Sequence, residues 1–174
     1  RLLREFRALL AIGFRPRDKL AILGPQHAGP RGWHERLGLF RTRIIPPALT
    51  AGQMLESLRE FSPDILWIYP TVLHPVAARA GWKLSRHIRP RILITSAQVF
   101  RPLYRERLLA DLNSEPFVMY AAMEVGRIGV ECPAHEGLHV DADAVYVEIL
   151  DGQVVVTSLE NFTMPIIRYR LGDQ

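Results

Sequence analysis

Cysteine, lysine and long apolar runs are all scarce in this chain, and each scarcity removes a class of protein. One cysteine, Cys132, among 174 residues leaves no intrachain disulfide framework. That fits a reducing compartment, and a cytoplasmic protein is expected. No apolar run is long enough to span a bilayer. Charges interrupt the opening stretch Arg1-Leu2-Leu3-Arg4-Glu5-Phe6 too often for a secretory leader, so no membrane partner is expected. Lysine occurs only at Lys19 and Lys83; all other basic residues are arginine. The chain also lacks a G-x-S-x-G elbow, a G-x-G-x-x-G turn after a strand and a complete phosphate loop. No internal repeat or low-complexity tract is present.

What is present is ordinary globular composition, 48% hydrophobic and 23% charged. The formal net charge is +4. Residues 1–43 carry ten Arg or Lys against three acids. Such a patch can draw nucleic acid, anionic membrane or a phosphorylated ligand. No aromatic-rich nucleic-acid module accompanies it, so it reads as a solvated face, and no nucleic-acid partner is expected. The chain begins inside a predicted helix and stops just past an apolar strand, which suggests a piece of a longer protein. Oligomeric state is left open.

Periodicity predicts the elements. Leu2, Leu3, Phe6, Leu9 and Leu10 share one face of an opening helix. The runs KLAILG (19–24), DILWIY (64–69), RILIT (91–95) and PFVMY (116–120) are apolar without polar alternation, as in strands covered on both faces. A further strand is expected at 39–45, and 26–38 reads as a loop. Thr50 with Gln53 forms a capping box before Met54, Leu55, Leu58 and Phe61. Thr71 is expected to cap a helix with Val72, Val76, Ala80 and Leu84 on one face; Pro75 is tolerated if it lies in the first turn. Pro102 opens a helix with Tyr104, Leu108 and Leu112 inward. Alternating strands and helices imply an α/β domain, a mostly parallel sheet flanked by helices. After Glu124 the texture turns to Gly and charge as far as Gly137. Strands at 144–150, 153–159 and 165–169 follow, the first two joined by the hairpin signal Asp151-Gly152. The expected division is an α/β subdomain, 1–124, and a β-rich subdomain, 125–174.

Ligands of open parallel sheets bind beyond the carboxyl ends of the strands. Three such ends carry polar groups: Tyr69-Pro70-Thr71, Ser96-Ala97-Gln98 and Tyr120-Ala121-Ala122-Met123-Glu124. An aromatic, small residues and then a carboxylate suit a nucleotide: a stacking ring, close backbone approach, and an oxygen ligand for Mg²⁺. The same residues also read as a core aromatic and a surface acid. Asp173, after Arg168-Tyr169-Arg170-Leu171-Gly172, can accept both hydroxyls of a ribose, or can be a turn Asp after Gly. Cys132, His135 and His139 offer zinc-ligand chemistry in compact spacing, or a polar turn with Cys132 as a small hydrophobe. His27, His34, His74 and His87 show no partner pattern.

In order along the chain, these stretches resemble the adenylate-forming superfamily, and within it the phenylacetate–CoA ligase family and its CapK-type relatives. Tyr120–Glu124 resembles the family's Tyr-Gly-x-Thr/Ser-Glu. Residues 125–139 (VGRIGVECPAHEGLH) resemble a segment with Glu-Cys and Gly-Leu-His, and 143–159 resemble the strands that follow it. Residues 164–173 (MPIIRYRLGD) resemble Pro-x-Ile-Arg-Tyr-Arg-x-Gly-Asp. The resemblance is strong from about Ile92 onward.

It implies ATP-dependent activation of a small carboxylic acid, often aromatic, to an acyl-adenylate, then transfer to a thiol, often CoA. Tyr120 would stack on adenine, with Ala121, Ala122 and Met123 beside the nucleotide. Ser96, Ala97 and Gln98 would line the adenine pocket. Glu124 would bind Mg²⁺ as the catalytic carboxylate, Asp173 would hold the ribose, and Tyr69, Pro70 and Thr71 would lie near the acid. Met123 stands where the family has Thr or Ser, and Ala121 where it has Gly. The upstream Ser/Thr/Gly-rich loop and the downstream catalytic Lys are not in the sequence. An alternative is a degenerate domain that binds nucleotide or acid without catalysis.

Overall fold

The computed structural model describes residues 2–24 and 33–173. Residues 25–32, with His27 and the first part of the expected loop 26–38, and the side chains of Leu2, Leu3 and Phe6 lie outside the described residues. The first half alternates: α1 (Leu2–Ala11), β1 (Leu20–Leu23), α2 (Trp33–Arg36), β2 (Thr42–Ile45), α3 (Ala51–Phe61), β3 (Ile65–Ile68), α4 (Pro70–Arg79), β4 (Ile92–Ser96) and α5 (Pro102–Leu112). Strands follow: β5 (Pro116–Ala122), β6 (Gly126–Glu131), β7 (Leu138–Val140), β8 (Val145–Leu150), β9 (Gln153–Ser158) and β10 (Tyr169–Arg170).

A seven-stranded sheet runs β2-β1-β3-β4-β5-β6-β7, and a three-stranded sheet runs β10-β9-β8. The first five strands pair in parallel, in the doubly wound order 2-1-3-4-5. The β5–β6 and β6–β7 ladders and the small sheet are antiparallel. The apolar runs are buried along their whole length in β1 and β4, as expected of strands covered on both faces. One face packs on α3, α4 and α5 through Leu58, Leu66, Leu73, Val76 and Leu108. The other face, with Ile22, Ile65, Ile94 and Met119, is covered by Ala8 of α1 and by Ile12 and Phe14 just after it. Burying each such Leu or Ile contributes roughly 1.5–3 kcal/mol.

Local chemistry explains several ends. Thr50 and Gln53 form the reciprocal capping box of α3. Asp151 and Gly152 both take positive φ, 51° and 74°, so a two-residue type I′ turn joins β8 to β9. Several expectations need correction: residues 33–36 of the expected loop form α2, Leu84 lies beyond the end of α4, and of the expected strand 165–169 only Tyr169 is in β10. Tyr69, not Thr71, caps α4, because Pro70 occupies the first helical position, where its missing N–H is harmless. Pro75 therefore lies inside the helix rather than in its first turn, on its exposed side, and has no N–H to donate to the Thr71 carbonyl. Leu10 is 57% exposed, while Ala8 and Ile12 face the sheet.

Residues 126–131 and 138–140, within or next to the Gly- and charge-rich stretch, are strands of the main sheet. β6 buries Arg127 and Glu131 because each meets an opposite charge. Arg127 Nε donates to Asp141 Oδ2 at 2.7 Å, and Arg7 of α1 bridges Asp141 and Asp143. β7 runs so close to β6 that a Cβ on Gly129 would lie 2.9 Å from the His139 carbonyl oxygen. The small sheet packs across the β5–β6 hairpin through Ile128, Val145 and Val156. Among the described residues, no helix is long and apolar enough to cross a membrane.

Candidate functional site

The parallel pairing aligns the carboxyl ends of β3, β4 and β5. Ile68 lies beside Thr95, and Ser96 beside Met119. Tyr69-Pro70-Thr71, Ser96-Ala97-Gln98 and Tyr120-Ala121-Ala122 therefore share one rim of the sheet. Tyr69 also reaches β1, its N–H donating to the Leu23 carbonyl at 3.3 Å. The strand order reverses between β1 and β3, which is where such sheets open a crevice.

The rim is tied together by side chains. Gln98 Oε1 accepts the Thr71 N–H at 3.1 Å, which joins the loops after β3 and β4. Ala97 adopts φ 71°, left-handed backbone that favours glycine, so a sharp turn follows β4. Ser96 is buried, and its hydroxyl accepts the Trp67 indole N–H at 2.8 Å. The exposed residues of this loop are thus Ala97 and Gln98, while Ser96 braces the strand beneath them.

Tyr120 is partly a core aromatic and partly a polar strand end. Its ring packs, half-buried, against the apolar cluster of Ile128, Val145 and Val156. Its hydroxyl donates to Asp173 Oδ2 at 2.6 Å. Burial, then the Asp173 hydrogen bond and charge, then the Glu124 charge raise the Tyr120 pKa above its ordinary value. Asp173 is itself fixed, its carbonyl oxygen accepting the Val154 N–H at 3.0 Å while Leu171 N–H donates to the Val154 carbonyl. The ladder shifts register between Tyr120 and Ala121, so Met123 and Glu124 form the exposed tip of the β5–β6 hairpin. Met123 is 99% exposed.

Glu124 borders an open cleft of about 500 Å³ lined also by Val125, Ser158, Leu159, Glu160, Asn161 and Phe162. Sequence reasoning missed the residues at 158–162. Their one signal is the polar break in an apolar strand, where Ser158 Oγ accepts the Asn161 N–H. Glu124 with Glu160, Ser158 and Asn161 presents oxygen donors, the chemistry that Mg²⁺ requires. The arginines of the last motif are otherwise engaged. Arg168 pairs with Glu148, and Arg170 with Gln153 and Asp151.

The zinc expectation finds no such convergence. Among the described residues no three His, Cys, Asp or Glu are arranged to hold a metal. His139 is exposed on β7, whereas His135 turns to Glu131 at 3.0 Å and Arg105 at 3.2 Å.

Solved ligases share this fold. The chain is similar to 2-hydroxyisobutyryl-CoA ligase, captured open with 2-HIB-AMP and CoA, at a TM-score of 0.74 and 18% identity over 98% of this chain and 42% of that one. It is similar to a benzoate CoA ligase from Burkholderia xenovorans at a TM-score of 0.65 and 15% identity, over 91% and 38% of the two chains. The fold is that of the adenylate-forming CoA ligases. In sequence the chain is 28% identical to phenylacetate-coenzyme A ligase of Pseudomonas putida over 96% of its length. It spans 43% of that relative. No family model matches the chain.

Proposed function

We propose that this chain supplies the adenine- and ribose-binding part of an ATP-dependent acid–thiol ligase. The single observation that carries this reading is the Tyr120–Asp173 hydrogen bond, which brings the two motifs to one rim of the sheet. The Tyr120 ring offers the adenine face, and the small side chains of Ala121 and Ala122 let the backbone approach the nucleotide. Asp173 keeps Oδ1 for a ribose hydroxyl, and Tyr120 can yield Oδ2 to the second. Ala97 and Gln98 border the base. Tyr69, Pro70 and Thr71 front the crevice that takes a small carboxylic acid; benzoate- and phenylacetate-type relatives favour an aromatic one. Glu124 would hold Mg²⁺, which offsets the charge building on the α-phosphate as the acid attacks.

In the first half-reaction the carboxylate oxygen bonds to the α-phosphorus and pyrophosphate leaves. In the second, a thiol such as that of CoA bonds to the acyl carbon and AMP leaves. Dependence on ATP and CoA fits a cytoplasmic protein.

A second reading, nucleotide or acid binding without catalysis, is favoured by Met123. Its fully exposed thioether donates no hydrogen bond where the resembling family has a hydroxyl. Pyrophosphate–ATP exchange on the full-length protein, with benzoate, phenylacetate and short aliphatic acids, separates the two. Acid-dependent exchange supports the ligase. ATP binding without exchange under any acid supports the binding module.

A further inference from the structure

The proposed nucleotide site depends on where β5 holds Tyr120, and the β5–β6 ladder alone fixes this loosely. Its register shifts just past Tyr120, and at its other end the last paired residues are Met119 and Val130. The next positions across the two strands are Val118 and Glu131. There the Val118 N–H donates to the Glu131 side chain, Oε2, at 2.9 Å. A carboxylate thus takes over where the backbone ladder stops.

That carboxylate is itself gripped. Glu131 is 8% exposed, and Arg105 Nη2 of α5 meets its two oxygens at 2.9 and 3.2 Å. His135, in the turn after β6, places Nδ1 3.0 Å from Glu131 Oε2 and rests its ring 4.9 Å from that of Phe117 on β5. Arg105 Nη1 also donates to Glu115, just before β5, at 2.9 Å. Burial opposes the Arg105 charge, yet its bonds to Glu115 and Glu131 outweigh burial and raise its pKa. Side chains from α5, β6 and the turn after β6 therefore converge on residues 115–118, which end two residues before Tyr120.

We propose that Glu131, clamped by Arg105 and His135, is a positioning residue that sets the height of the Tyr120 ring against Asp173. This rests on the nucleotide reading of Tyr120 and Asp173. The alternative is a purely structural ion pair that stabilises the sheet without bearing on the ligand. What separates the two is reach. Glu131→Gln keeps an oxygen at the distance of the Val118 N–H while Glu115 still pairs Arg105. Glu131→Asp keeps the charge but falls one methylene short.

The test is AMP affinity by calorimetry on the full-length protein, with amide exchange read in parallel. Glu131→Ala should weaken AMP binding roughly tenfold, Glu131→Asp several-fold, and Glu131→Gln less than about twofold, given the usual worth of one hydrogen bond. Exchange at Val118 and Tyr120 should accelerate in Glu131→Ala and Glu131→Asp while amides of β1 keep their rates. If Glu131→Asp binds like the wild type, or Glu131→Gln loses as much as Glu131→Asp, the proposal is overturned. It is also overturned if exchange accelerates evenly across the sheet. Should the wild type bind no AMP, the nucleotide reading fails and this inference with it; wild-type binding with unchanged variants sinks the inference alone.

Discussion

The Tyr120 hydroxyl donates to Asp173 Oδ2 at 2.6 Å, across 53 positions of sequence. It joins the end of the main sheet to the end of the small one. A protonated tyrosine is the donor, so the bond exists only while Tyr120 is neutral.

This gives a pH dependence with a defined sign. The folded pKa of Tyr120 is raised, chiefly by burial and then by Asp173. The stability it confers is therefore complete below the unfolded tyrosine value of about 10 and declines as pH climbs above it. Urea unfolding of the wild type should weaken above that point, and Tyr120→Phe should remove part of the decline. An identical alkaline loss in Tyr120→Phe would show that other groups cause it.

Met123 allows a gain-of-function prediction. At 99% exposure it packs on nothing, so Met123→Thr should leave stability within about 0.5 kcal/mol. If a hydroxyl here meets the α-phosphate, the bond to a charged group should raise the rate of acid-dependent exchange roughly tenfold or more. An unchanged rate in a folded variant would remove position 123 from the phosphate site.

The Arg127–Asp141 pair lies between side chains 2% and 7% exposed. Removing one partner leaves a buried charge, so Arg127→Leu or Asp141→Ala should destabilise by about 3–5 kcal/mol in urea titrations. Arg7→Ala should cost far less, because Arg7 is exposed and Arg127 still holds Asp141.

Legibility in sequence followed locality. Unbroken apolar runs marked β1, β3, β4 and β5, and Thr50 with Gln53 marked the start of α3, since each signal is complete within a few residues. Asp151-Gly152 marked its turn for the same reason. β6 was hidden because Arg127 and Glu131 look like surface charge until Asp141 and Arg105 are brought to them. The His135 ring is likewise engaged by Glu131 and by Arg105, which is distant in sequence. The Tyr120–Asp173 contact was legible only as motif order, and the Ser158–Phe162 cleft wall hardly at all.

The central claim is a nucleotide held between Tyr120 and Asp173, and calorimetry of ATP with Mg²⁺ on the full-length protein tests it most directly. The wild type should bind, and Asp173→Ala should weaken binding roughly tenfold or more through loss of a charged acceptor. No binding heat from the wild type, or an affinity unchanged in Asp173→Ala, would contradict the account.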